Sequence, residues 1–212
     1  MRALVFGNSH TAALIKAYRE RSYSWDIDFV YVSNPNQKHV STYEHGLCFD
    51  KAILPSIERS FGKAVSTISF EPYDRVVVAA GKSRQWYKMY QYGLLRDVFL
   101  CKNYREDFVS LMERFASKTV FIGSPLFVKN NRIDPNPEIT ERWTEDILPA
   151  LKRYSKETVE AQNCYSIILP PTELIDANGI FTKNEFKRFP DNFNDNHLNT
   201  KAGGMILDAI FN

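Results

Sequence analysis

Cysteine is scarce: Cys48, Cys101 and Cys164 are the only three in 212 residues, far apart and odd in number. That spacing argues against a disulfide framework and predicts free thiols in a reducing compartment. No Cys-x-x-Cys pair occurs, so His39, His45 and Cys48, between Gln37 and Asp50, lack the partner spacing of a zinc site. These three read as surface or packing residues, and no metal or other cofactor is expected. No apolar run approaches the roughly 20 residues of a membrane span. The opening Met-Arg-Ala-Leu-Val-Phe-Gly has too short an apolar core for a secretory signal, so a cytoplasmic location is expected. Neither sign of charge dominates: 27 Lys and Arg against 25 Asp and Glu leave a net charge of +2. That balance gives no reason to expect nucleic acid or an anionic membrane as partner. No internal repeat, low-complexity tract or linker interrupts the chain.

What remains is ordinary globular composition, 44% hydrophobic and 25% charged over 212 residues, enough for one domain spanning 1–212 with a sizeable core. Short apolar runs read as strands: Ala3 to Phe6, Asp28 to Val32, Asp74 to Gly81, Thr119 to Ile122 and Tyr165 to Leu169. Val76-Val77-Val78-Ala79-Ala80 is continuously apolar, as a central parallel strand covered on both faces should be.

Helical spacing lies between the strands. It links Ala13, Leu14, Ala17 and Tyr18, then Phe108, Leu111, Met112 and Phe115, then Ile139, Trp143, Ile147, Leu151 and Tyr154, with Pro149 kinking the third group. Ala202, Met205, Ile206, Ala209 and Ile210 form a last stripe, with Asn199 as its cap. Ser33-Asn34-Pro35-Asn36 reads as a turn, and Thr182-Lys183-Asn184-Glu185 as a capping box opening a short helix. Alternation of strands and helices predicts a three-layer α/β/α sandwich around a parallel sheet of about five strands.

Chemistry-bearing residues gather at the two ends of the chain. Gly7 permits a sharp reversal after the first strand. Ser9 follows it, at the sheet edge where open α/β sheets bind ligands and where helix N–H groups favour negative charge. A helix cap is the alternative role for Ser9. His197 precedes the last helix, and a base from there can meet Ser9 above one sheet. His10 is a weaker candidate base, since a neighbour on such a turn points elsewhere. The Gly-x-Ser-x-Gly elbow is not met, because Thr11 holds the last glycine position. The glycine series of a dinucleotide loop is absent as well.

Gly7-Asn8-Ser9 resembles the Gly-Asp-Ser block of the SGNH (GDSL-like) hydrolases. Asp195-Asn196-His197-Leu198-Asn199, with Gly203 following, resembles that family's last block, commonly Asp-x-x-His-x-Asn and a glycine. The order of elements fits over nearly the whole chain. The resemblance implies an SGNH hydrolase-like, flavodoxin-like fold and a serine esterase mechanism. Ser9 would be the nucleophile, His197 the base, and Asp195 the carboxylate that orients it, with Asn194 and Asp191 as further candidates. Asn194 stands where the family places its aspartate. Gly81-Lys82-Ser83-Arg84 occupies the family's Gly-x-Asn-Asp position, so Ser83 and Arg84 become the candidate oxyanion and substrate-binding residues. Gly46 lies in no such block, and Ser124 reads as turn chemistry.

The implied substrate is a carbohydrate or other small-molecule ester, with an acyl group such as acetyl hydrolysed or transferred through acyl-Ser9. A catalytically silent module that binds a glycan or a protein is the other reading. The aromatic segment from Gln85 to Tyr104, with Trp86 and Tyr90, reads as core or homo-oligomer packing, or as a wall of the substrate site.

Overall fold

The structure is a computed structural model, and it describes residues 1–79, 106–122, 166–168, 171–175, 182–190 and 197–212. Eight strands and four α-helices lie in these residues. They are β1 (Arg2–Gly7), α1 (Thr11–Glu20), β2 (Asp26–Tyr31), β3 (Val40–Tyr43), β4 (Gly46–Phe49), α2 (Leu54–Phe61), β5 (Thr67–Ser69) and β6 (Arg75–Ala79), followed by α3 (Glu106–Arg114), β7 (Thr119–Ile122), β8 (Ser166–Ile168) and α4 (Thr200–Phe211). The predicted helical stretch around Trp143 and Pro149 lies outside the described residues, as do Ser124 and the segment 85–104.

Five strands form the central sheet in the order β2-β1-β6-β7-β8. Every neighbouring pair is parallel. Counted within this sheet the order is 2-1-3-4-5, a doubly wound arrangement. The order in which strands are added across the sheet switches sides between β1 and β6, which are parallel and run in register from Ala3 opposite Arg75 to Gly7 opposite Ala79.

Strand alternation divides the core. Ala3, Val5, Ile27, Phe29, Val77, Val120 and Ile122 meet α1 and α4 on one face, through Ala13, Leu14, Ala17, Ala202, Ile206, Leu207 and Ile210. Leu4, Phe6, Val30, Val76 and Val78 are buried on the other. There α2 packs on β2, and its Ser60 hydroxyl oxygen accepts from the Tyr31 N–H at 3.1 Å. The right-handed rule for parallel crossovers agrees in assigning α2, between β2 and β6, to this second face. The predicted three-layer α/β/α arrangement is therefore present.

Several local expectations are corrected. A second sheet, β3-β4-β5, is antiparallel and was not anticipated. It buries Leu47, Phe49 and Ile68. The turn at Ser33 opens into a 3-10 helix, Asn34–His39. The Thr182 box does not cap a helix: only a 3-10 turn, Asn184–Phe186, follows, and Thr182 bridges Ile175. On α4 the buried stripe includes Leu207 and Phe211, whereas Ala209 is exposed. Gly7 is not needed for its torsions, since Gly62 is the one positive-φ glycine among the described residues. It is needed for space, because a Cβ there would collide with the Ala79 carbonyl oxygen and crowd the Thr11 hydroxyl.

Glycine has the same use between helices. A Cβ on Gly203 would strike the Ala13 carbonyl group, so α4 lies directly on the backbone of α1. A Cβ on Gly204 would meet only the Arg21 guanidinium, the far end of a flexible side chain. At the base of α4, Arg75 donates to the Ile210 carbonyl oxygen, and its guanidinium lies 4.8 Å from the Trp25 ring centroid. Burial lowers the Arg75 pKa. At the same edge the Tyr73 hydroxyl donates to Asp28 at 2.7 Å, and Arg2 pairs with Asp28 at 2.9 Å. Burial, reinforced by Asp28, raises the Tyr73 pKa beyond the ordinary tyrosine range.

Two outcomes follow from these contacts. Gly203→Ala should cost about 1–3 kcal/mol by overpacking and lower the melting temperature by several degrees. Gly204→Ala should melt within about 2 °C of wild type or above it, since alanine favours helix by roughly 1 kcal/mol. Equal melting of the two variants by circular dichroism would contradict the close approach.

Tyr73 sets a pH dependence. The unfolded chain releases the phenolic proton near pH 10, while the folded chain still holds it, so the folded state binds more protons and stability falls as pH rises past that value. Tyr73→Phe should be less stable at pH 7 by about 1.5–3 kcal/mol, and the gap should narrow in urea titrations above pH 10.

Candidate active site

The candidate site is at the C-terminal edge of the parallel sheet, where β1 and β6 part. After Gly7 the chain turns through Asn8, Ser9 and His10 into α1. Asn8 is buried and shapes this turn: its side-chain oxygen accepts from the His10 N–H at 3.1 Å, and its carbonyl oxygen accepts from the Thr11 N–H at 2.9 Å. The Ser9 carbonyl accepts from Ala12, and the His10 carbonyl from Ala13. The Ser9 N–H stays outside this set of donors. Position N-cap belongs to His10 and carries no side-chain cap bond, so the capping role considered for Ser9 is not used. Ser9 is half-buried. The Thr11 hydroxyl is buried beside it and has no hydrogen-bond partner among the described residues.

The other half of the site arrives with α4. Lys187 and Leu198 form an antiparallel bridge, and the His197 carbonyl oxygen accepts from the Arg188 N–H at 2.9 Å. Leu198 and Phe186 are buried in the core on the α1 and α4 side. Opposed residues of an antiparallel pair share a face, so Arg188 and His197 lie together on one face of this bridge.

Asn199 fixes the junction. Its side-chain oxygen caps α4 by accepting from Ala202 N–H at 3.0 Å, and its amide donates to the carbonyls of Glu185 and Lys187 at 2.7 and 3.3 Å. The half-buried His197 ring thereby rests 5.7 Å from the ring of His10, centroid to centroid, at an interplanar angle of 39°. His10 is the residue after Ser9. Thus the structure brings His197 to the turn that carries Ser9. The His10 ring faces His197, and no bond from it to Ser9 is recorded among the described residues.

Ser83, Arg84, Asp191, Asn194 and Asp195 lie outside the described residues. His39 and His45 pair with carboxylates beside the small sheet, Asp50 at 3.0 Å and Glu71 at 2.9 Å. No group of three or more metal-ligating side chains occurs among the described residues, and no helix among them is long and apolar enough to cross a membrane. Gly46 belongs to strand β4, where a Cβ would collide with the Ile68 carbonyl. No protein-family model matches the chain, and no curated protein matches it in sequence.

Asn8 and Asn199 shape the two turns of the candidate site, and sequence reasoning undervalues both. Asn8 was read only as a variant of the family's aspartate, although asparagine two residues before an N–H is a turn signal in its own right. Asn199 was read only as a cap.

A pair of variants separates the two tasks of Asn199. Asn199→Ala should lose about 1–2 kcal/mol in chemical denaturation, through the cap and the tether together. Asn199→Asp keeps the cap acceptor but turns a carboxylate on two carbonyl oxygens, so it should be no more stable than the alanine variant. Wild-type stability in Asn199→Asp would show the tether to be idle.

Proposed function

We propose that this chain is an SGNH-like serine esterase or acyltransferase acting on a carbohydrate or small-alcohol ester. The observation that carries the reading is the approach of His197 to the Ser9 turn. A serine hydroxyl is a poor nucleophile at neutral pH and needs a base within hydrogen-bond reach. In this reading the Ser9 oxygen attacks the ester carbonyl carbon while His197 takes its proton. His197 then returns that proton to the leaving alcohol, leaving acyl-Ser9. Water, or another hydroxyl in a transferase, attacks the acyl group and restores Ser9 by the same proton path.

Asp195 is assigned to orient the His197 imidazole, with Asn194 and Asp191 as the alternatives on that loop. The Ser9 N–H, at the head of α1, is a donor to the developing oxyanion. Ser83 and Arg84, a few residues beyond the end of β6, are assigned as the remaining oxyanion and substrate contacts. The acetyl group and the carbohydrate rest on the family resemblance alone.

A catalytically silent glycan- or protein-binding module is the second reading. It is favoured by Ser83 and Asn194 standing where the family has asparagine and aspartate. A fluorophosphonate probe followed by intact-mass measurement divides the two. The esterase reading expects one adduct on wild type, none on Ser9→Ala, and labelling slowed at least tenfold in His197→Ala. A folded wild type that takes no label would overturn it and leave the binding module.

A further inference from the structure

The turn that carries Ser9 uses only one of the two polar atoms in the Asn8 side chain. We propose that Asn8 is a catalytic residue: its amide nitrogen, Nδ2, donates a hydrogen bond to the oxyanion that forms when Ser9 attacks the ester. The inference rests on the Ser9–His197 reading and deepens it.

The turn dictates which way the amide points. A backbone N–H bonds only to an acceptor, and the His10 N–H lies 3.1 Å from Oδ1. The oxygen therefore faces along the turn, and the nitrogen faces away from it. The backbone holds the same geometry, with the Asn8 carbonyl oxygen accepting from the Thr11 N–H at 2.9 Å. Asn8 is only 3% exposed, yet Nδ2 has no hydrogen-bond partner among the described residues. Nor is it sealed in: the fully buried, unpaired side-chain atoms of this turn include the Thr11 hydroxyl but not Nδ2. The trace of surface that Asn8 keeps therefore includes its amide N–H bonds. A polar group withdrawn from most of its water and left unbonded costs free energy, and such a group in a native structure calls for an explanation. This one is a donor on the residue before Ser9, at the sheet edge where open α/β sheets hold their ligands.

Attack of the Ser9 oxygen on the carbonyl carbon forms a C–O bond and moves the carbonyl π pair onto oxygen. That pair returns when C=O re-forms and the alcohol leaves with the proton that His197 carries. Asn8 gives up no proton in either step. It holds a hydrogen bond that is stronger to the oxyanion than to the neutral carbonyl. It joins the Ser9 N–H, so two donors lie on one turn whose shape is set before substrate arrives. A side-chain amide is also what the family resemblance lacks at Ser83, and Asn8 offers one from the nucleophile's own turn.

Two variants separate this donor from the turn-shaping oxygen beside it. Asn8→Asp keeps an acceptor for the His10 N–H and replaces the amide nitrogen by a carboxylate oxygen. Asn8→Ser keeps an acceptor as a hydroxyl and adds no charge. The maximal rate of fluorophosphonate inactivation is measured for both and for wild type, with melting temperature and exchange protection of the His10 amide as checks that the turn is intact. In nitrogen-15-labelled wild type the Asn8 side-chain amide protons are followed by NMR as the phosphonate adduct forms, because its phosphoryl oxygen takes the oxyanion position. The expected results are roughly hundredfold slower inactivation in both variants with the turn intact, and a downfield shift of one Asn8 amide proton in the adduct. Inactivation less than tenfold slower in either folded variant would overturn the inference while leaving the esterase reading intact. Asn8 amide protons unmoved by adduct formation would overturn it as well, whether or not the variants fold. No labelling of wild type would remove the esterase reading and this inference together.

Discussion

The seating of α4 on α1 is the contact on which the site depends. Gly203 has no side chain, so the last helix reaches the backbone of the first at Ala13, and Ala202, Ile206 and Ile210 follow it into the same apolar layer. That seating fixes more than a helix angle. Asn199, at the head of α4, gathers the segment from Glu185 to Lys187, and the residue two before it delivers an imidazole to the turn after β1. A glycine that resembles part of a family block therefore has a reason in packing, independent of any reaction.

The two edges of the central sheet are built differently. At the edge where the parallel strands begin, charges and rings lock together: Arg2 with Asp26 and Asp28, Tyr73 with Asp28, Arg75 with Trp25 and the end of α4. At the edge where they end, the chain spends its polar groups on shaping turns. Asn8 holds one and Asn199 the other, and the buried Thr11 hydroxyl has no described partner between them. Leaving a buried hydroxyl unpaired costs stability, and tolerance of that cost at one edge goes with the closely paired groups at the other.

The parallel sheet was legible because each strand is a short apolar run flanked by helical spacing. Val76, Val77 and Val78 are buried as their continuous apolar character requires. The small antiparallel sheet was not legible. Its strands are three or four residues long, and β3, Val-Ser-Thr-Tyr, buries none of its residues, so no clean alternation marks it. Short strands of this kind are defined by pairing, which is a property of distant residues. α2 was missed for a similar reason, being eight residues with one buried position, Ile57. At the site, the approach of the His197 segment to the turn that carries Ser9 was legible from residue order. The use of Asn8 and the direction of His10 were not, because they depend on the path of a turn shaped by a few local hydrogen bonds.

The joining of α1 to α4 also has a consequence for how the protein comes into being. The pair Arg21 and Asp208, which ties the two helices, is separated by 187 positions. A ribosome makes the chain from the amino end, so Ala13, Leu14 and Ala17 emerge long before the residues that cover them. Until α4 is made, α1 has an uncovered apolar face, and the loop that must close to cover it is nearly the whole chain. For that interval the uncovered face can associate with other apolar surface. The approach of His197 to the Ser9 turn forms only when residues 197–211 dock, which makes assembly of the candidate site a late event in the life of each molecule.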